Sequence, residues 1–205
     1  MSFDFSKIVE LSTARGKLVE LKNSAGRVIW TAQSAELVAG TLILRPSADI
    51  SVEHSLYPHD STTAYLLINE EVADGTATYI TSYDGKVSPK SRFCLFGEPQ
   101  HKIVKITSIT IKGVPYNASS KAGYNTFRLC FDGEEFESSR HNSTKDIDLS
   151  LANAVTPINE YIAKNGNLPA IDLVISSEAP SNTGGTKFYH TGVTQVYVVL
   201  AYEGY

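Results

Sequence analysis

The segment Val193–Tyr202, VTQVYVVLAY, constrains this chain more than any other stretch. It runs without glycine, proline or charge, and four of its residues are valine. Strand alternation places Val193, Gln195, Tyr197, Val199 and Ala201 on one face, and Thr194, Val196, Val198, Leu200 and Tyr202 on the other. Both sets are mostly apolar, the pattern of a central strand covered on two sides. A helix is disfavoured because β-branched and aromatic residues dominate so short a run. The expected fold is all-β: an antiparallel β-sandwich or jelly roll closed by this strand.

The rest of the chain fits that class. Strands are expected at Leu37–Leu44, Ile50–His54, Ala64–Ile68, Ala77–Ser82, Ser91–Phe96, Lys102–Lys112, Thr126–Phe131, Ile171–Ser176 and Lys187–His190. Turn-forming residues separate them at Arg45-Pro46-Ser47, Asp84-Gly85, Asn117-Ala118-Ser119-Ser120 and Ser181–Gly185. Phe127, Leu129 and Phe131 alternate with Thr126, Arg128 and Cys130, and Ile171, Leu173 and Ile175 alternate with Asp172, Val174 and Ser176. Each reads as a strand with one core face. One helix is expected at Thr156–Asn165, with Thr156 as N-cap, Pro157 in the first position and Gly166 as a left-handed stop. Its start could also fall within Leu151–Val155. Ile158, Tyr161 and Ile162 form its apolar stripe, set to plug one end of the sandwich.

The first 34 residues read as a separate attachment segment ahead of a sandwich at 35–205. Lys17–Lys22 and Arg27–Thr31 flank Asn23-Ser24-Ala25-Gly26, so a β-hairpin is expected. A lone hairpin is marginal in water and must pack on something. Leu18, Val28 and Trp30 are its candidate assembly contacts, although for Trp30 core packing is the favoured fate.

Composition removes several function classes. The net charge is −4, with 22 acidic against 18 basic residues, and no basic cluster offers a nucleic-acid footprint. No apolar run is long enough to span a membrane, and the N-terminus lacks the pattern of a signal peptide. Cys94 and Cys130 sit in strand-like runs and read as two small buried thiols, with a disulfide open if those strands are neighbours.

Chemistry-bearing patterns are sparse. His54 and His59, with Glu53 and Asp60, form one local cluster, but Pro58 prevents a helix from aligning the imidazoles, so a metal would need further ligands. The acidic stretch Asn69–Gly75 is oxygen-rich, as a structural calcium loop would be, but lacks ligand periodicity. Asp132-Gly133 between strand-like runs reads as a hairpin turn. No nucleophile elbow, phosphate loop or H-E-x-x-H occurs. The expectation is therefore no enzyme, no catalytic residue and no cofactor. Tyr57, Tyr83, Tyr116 and Tyr124, in loop-like positions, are candidate glycan or partner contacts, because a tyrosine ring can stack on a sugar or fill an interface.

Three groups of segments, in order along residues 15–203, resemble a known family. They are Gly26-Arg27-Val28-Ile29-Trp30; then Ile43–Ser51 with Tyr65–Glu70 and Ala73–Ile80; then Leu168–Leu173 with Val193–Leu200. The set is similar to β-sandwich structural proteins from phages and prophages of Gram-positive gut bacteria. That resemblance implies a virion component, tail-associated or head-decorating and assembled in the host cytoplasm. It implies partners among other virion proteins and self-association, and it carries over no catalytic or ligand residue. Where the family opening has a second aspartate this chain has Gly75-Thr76, which weakens the calcium expectation. The alternative function is a carbohydrate-binding adhesion module for host-surface glycans.

Overall fold

Fourteen strands and two helices, in a computed structural model, account for the described residues: 10–14, 17–22, 28–31, 36–52, 56–57, 63–69, 78–83, 90–117, 121–180 and 190–205. In order they are β1 (Glu10–Ala14), β2 (Lys17–Lys22), β3 (Val28–Thr31), β4 (Val38–Ser51), β5 (Leu56–Tyr57), α1 (Ala64–Ile68), β6 (Thr78–Tyr83) and β7 (Ser91–Phe96). There follow β8 (Ile103–Asn117), β9 (Tyr124–Phe131), β10 (Glu134–Glu137), β11 (His141–Asn142), β12 (Ile147–Ser150), α2 (Ala152–Asn165), β13 (Asp172–Glu178) and β14 (His190–Gly204). The chain divides into two units, Met1–Glu36 and Leu37–Tyr205.

In the first unit β2 and β3 pair antiparallel, as the hairpin pattern requires. The sequence reading missed β1, which adds to the other edge of β2 and makes a three-stranded sheet. A third strand supplies what a lone hairpin lacks. The turn at Asn23–Gly26 lies outside the described residues.

The second unit is a curled antiparallel sheet folded into two layers, so the all-β sandwich class holds. One layer has β14 at its centre, with β8 on one side and β4 and β6 on the other. The other layer runs β10-β9-β13-β7-β4. Its inward residues Phe93, Phe127, Leu129, Leu173 and Ile175 meet Leu42, Leu44, Ile109, Ile111, Val198 and Leu200 of the first in one core cluster. Full burial of each such side chain contributes about 1.5–3 kcal/mol.

The centrality read from Val193–Tyr202 is correct, but its two-sided burial extends only from Thr191 to Val196. From Tyr197 onward burial alternates, and Tyr197, Val199 and Ala201 are half-exposed. The converse holds for β13, expected to be one-sided: every residue from Leu173 to Ser177 is buried, Val174 and Ser176 included. The buried isoleucines of β8, Ile103, Ile106, Ile109 and Ile111, do not follow a period of two. Register shifts explain this, because Val104 and Thr107 are extra residues bulged against β14.

Three local expectations are corrected. Arg45-Pro46-Ser47 is no turn: β4 runs through it, pairing with β14 up to Leu44 and with β7 from Arg45. Proline lacks a ladder donor, and the register shift after Pro46 accommodates it. Ala64–Ile68 is the helix α1 and no strand, so the described residues hold two helices where one was expected. Ala64, Leu67 and Ile68 are buried at helical spacing. The Asp49 carboxylate accepts from the backbone N–H groups of Ala64 and Tyr65 at 2.9 and 2.8 Å, so the N-terminal donors are satisfied from a distant strand. The expected cap Thr156 and Pro157 lie inside α2, which starts at Ala152, within the Leu151–Val155 range also open for its start. Gly166 does end it, at φ 77°, donating its N–H to Ile162. Helix α2 packs Ala154, Ile158 and Ile162 into the core and also seals an edge of the sheet: the Asn159 side chain accepts from the Ile106 N–H at 2.7 Å and donates to the Ile106 carbonyl at 2.9 Å.

Asp132 and Gly133, at φ 50° and 83°, form the hairpin turn between β9 and β10, as their sequence requires. Both cysteines are free thiols. Their strands are not neighbours, because Asp172 of β13 is the register partner of both Cys94 and Cys130. A disulfide is therefore out of reach.

Candidate functional site

Apolar side chains that stay in water are concentrated along β4. Leu37, Val38, Ile43, Ile50 and Val52 are all exposed and lie on this strand or one residue beyond its ends. Phe96, 60% exposed, is the register partner of Arg45 on β4. Leu66 is exposed on α1, the helix held by Asp49 of the same strand. The reason is topological. β4 turns the corner between the layers, and no other described element of the second unit covers Leu37 and Ile43 on its outer face, while Val38, on the face of Leu42 and Leu44, is exposed at the strand's end. At the corner the Arg45 guanidinium stacks over Tyr197 at 5.0 Å and donates to the Asn69 carbonyl. Exposed apolar residues grouped in this way mark an interaction surface.

The outer face of β9, β13 and β7 is closed by ion pairs instead. Arg92 donates through Nε and Nη2 to one Asp172 oxygen at 2.9 and 2.7 Å. That hydrogen bond, together with the Asp172 charge, raises the Arg92 guanidinium above its ordinary range, against desolvation. Arg128 pairs with Glu137 and, at 3.9 Å, with Glu135, which also meets Lys90 at 3.5 Å. Cys130 lies beneath this lattice, and burial, then the Glu135 charge, pushes its thiol up. A thiol held protonated and covered is a packing residue and a poor nucleophile.

The end of the sandwich around Thr191 holds most of the buried polar groups. Asn125, fully buried, donates to the Gly192 carbonyl at 3.0 Å and accepts from the Ser177 hydroxyl. Ser143 accepts from the Gly123 N–H at 3.0 Å. His141 is buried with Nε2 2.8 Å from the Lys145 carbonyl, so that nitrogen carries the proton. A cleft of about 350 Å³ opens here between Val114, Pro115 and Asn117 of β8 and the turn Ser143–Asp146.

The candidate contact residues fall out as follows. Leu18, Val28 and Trp30 are strand residues of the first unit, paired with Thr13, Lys22 and Leu21. Their side chains lie outside the described residues, as do those of Tyr57 and Tyr83. The four tyrosines are strand residues, not loop residues: Tyr57 on β5, Tyr83 on β6, Tyr116 on β8 and Tyr124 on β9. Three of these strand positions lie at one end of the sandwich. Tyr83 pairs with His190 and Tyr116 with Gly192, while Gly123, next to Tyr124, packs directly on Thr191. Tyr57 pairs with Thr78, at the opposite end of β6. Tyr124 carries the Arg140 guanidinium over its ring at 3.9 Å, and Arg140 pairs with Glu178.

The histidine cluster His54/His59 and the acidic stretch after Asn69 lie outside the described residues. Among the described residues no group of three or more His, Cys, Asp or Glu side chains could hold a metal ion, and no helix is long and apolar enough to cross a membrane. The β4 ridge was missed from sequence because its apolar residues looked like two core strands split by a turn. No protein-family model, curated protein or solved structure matches this chain.

Proposed function

We propose that this chain is a non-enzymatic structural protein of a phage virion, tail-associated or head-decorating, that acts through protein–protein contacts. The observation that carries the reading is the exposed apolar ridge of β4, on a domain whose charged outer face is internally paired. The ordered motif resemblance supports the virion setting, and a separate N-terminal sheet supports an attachment role for residues 1–36. The decisive experiment is mass spectrometry of particles purified from a phage that encodes this chain. The chain should be recovered in many copies per virion and should stay with the particles through a density gradient. Particles that lack it would overturn the reading.

A second reading, recognition of host-surface glycans, is favoured by one observation: the strand positions of Tyr83, Tyr116 and Tyr124 lie at the end of the sandwich that carries the polar cleft at Asn117 and Ser143–Asp146. A glycan array with the full chain, run with and without calcium, should then show binding that Tyr116→Ala removes. An array without hits would end this reading and leave the first standing.

A further inference from the structure

The ridge strand also has an open backbone edge. From Val38 to Leu44, β4 is bonded to β14 on one side, and β7 takes up the other side only from Arg45. Among the described residues nothing pairs with the second edge before that point. The groups pointing that way can be identified. A Cβ built on Gly97 would sit 2.2 Å from the Ile43 carbonyl oxygen, so that carbonyl faces away from β14, towards Gly97. Backbone groups alternate along a strand and this register is regular. Thr41, Ala39 and, one residue before the strand, Leu37 therefore present N–H and C=O to the same open side, and Gly97 closes that side at Ile43.

Two other sheet edges are blunted. The β10 edge carries Glu134, Glu135 and Glu137, and Asn159 occupies the Ile106 position of β8. Leu37-Val38-Ala39-Gly40-Thr41 has neither charge nor proline, and Leu37 and Val38 are 46% and 39% exposed. An uncharged, unpaired edge of this kind is a template for another strand.

We infer that the edge of β4 from Leu37 to Thr41 docks on the same edge of a second copy, antiparallel about a two-fold axis at Ala39. The edge is complementary to itself. In this register Ala39 faces Ala39 and Leu37 faces Thr41 of the second copy, and each facing pair exchanges two hydrogen bonds. Val38 then lies opposite Gly40, so a bulky side chain meets the position with none. No charge opposes another within the paired segment, which matters for a chain whose net charge of −4 repels its copies. Gly97 of each copy stops the other strand from running past Ile43, which bounds the register. The inference rests on the assembly reading for its setting and names the partner within it.

Light scattering on the full chain tests it. A short edge pairing is a small interface, so a dimer of about micromolar strength is expected. Ala39 is exposed, so Ala39→Lys and Ala39→Glu should fold as the wild type does, checked by circular dichroism. Each places like charges face to face and should weaken the dimer about a hundredfold or more. Mixed in equal amounts, the two variants should form a heterodimer at least as tight as the wild type. A wild type that stays monomeric to hundreds of micromolar overturns the inference and leaves virion incorporation as a separate question. Variants that dimerise alone, or that fail to rescue each other, overturn it too, the latter because a different strand would then be the occupant. If a variant misfolds, hydrogen exchange of the wild type decides: the Ala39 and Thr41 amides should gain protection with protein concentration, and flat protection sinks the pairing.

Discussion

Gly113→Ala is expected to destabilise the second unit by about 4 kcal/mol, combining steric overpacking with a backbone conformation that side chains resist. Gly113 sits in the middle of β8, opposite Val196 of β14 and Ile147 of β12, so it has ladder partners on both sides. Its φ is +157°, and an added Cβ would lie 2.1 Å from the Gln195 carbonyl oxygen and 2.9 Å from the Val196 Cα. Both are backbone atoms of the central strand, so neither can move without opening the β8–β14 ladder. For a chain of this length the loss should lower the melting temperature by roughly 8–16 °C. Gly133→Ala is the control. It also has positive φ, +83°, but nothing lies within 4 Å of its added Cβ, so the expected loss is only about 1 kcal/mol of local backbone strain. Thermal melts of the two variants separate the causes. Equal losses would mean that the close approach of the two ladders is not what selects glycine at 113.

The second large effect is expected at Asn125. This side chain is fully buried and joins the layers, donating to Gly192 on β14 while accepting from Ser177 on β13. Asn125→Leu keeps the volume but withdraws the donor from a buried carbonyl and the acceptor from a buried hydroxyl. Each such loss is worth about 1–3 kcal/mol, so a total near 3 kcal/mol is expected in urea denaturation. The double variant Asn125→Leu, Ser177→Ala should cost about 1 kcal/mol less than the sum of the singles, because the Ser177–Asn125 bond is lost once and not twice. Strict additivity would show that the two side chains are not energetically coupled and that the bond to Gly192 alone matters. The same network backs the cleft near Tyr116 and Tyr124, so a loosened Asn125 should disturb that end first and leave the β4 edge intact.

These two positions show how the fold was and was not legible. Gly113 interrupts the strand pattern of β8 no more than any glycine would, and only the approach of Gln195 gives it weight. Asn125 precedes a clean alternation of Phe127, Leu129 and Phe131, and looks like the polar lead-in to a strand. Its burial follows from where β14 passes, some 67 residues later in the chain. The helix α1 was hidden for a similar reason. Ala64–Ile68 is too short to nucleate alone, and its start is satisfied by Asp49 from another element.

The sequence by itself determined what depends on neighbours along the chain. The β-rich class follows from period-two alternation, and the turn at Asp132-Gly133 from residues that tolerate positive φ. The end of α2 follows from Gly166, and the centrality of β14 from ten uncharged residues in a row. Tertiary structure alone decided which faces are covered and which edges stay open. Covering β13 on both faces required the second layer and the ion-pair lattice above Val174 and Cys130. Leu37, Ile43 and Phe96 are exposed because no described element of the second unit packs on the outer face where β4 passes from β14 to β7, so that apolar residues written like core came to face water. Burial and edge exposure are set by contacts between residues far apart in sequence, and alternation within a strand says which residues share a face but not what that face meets.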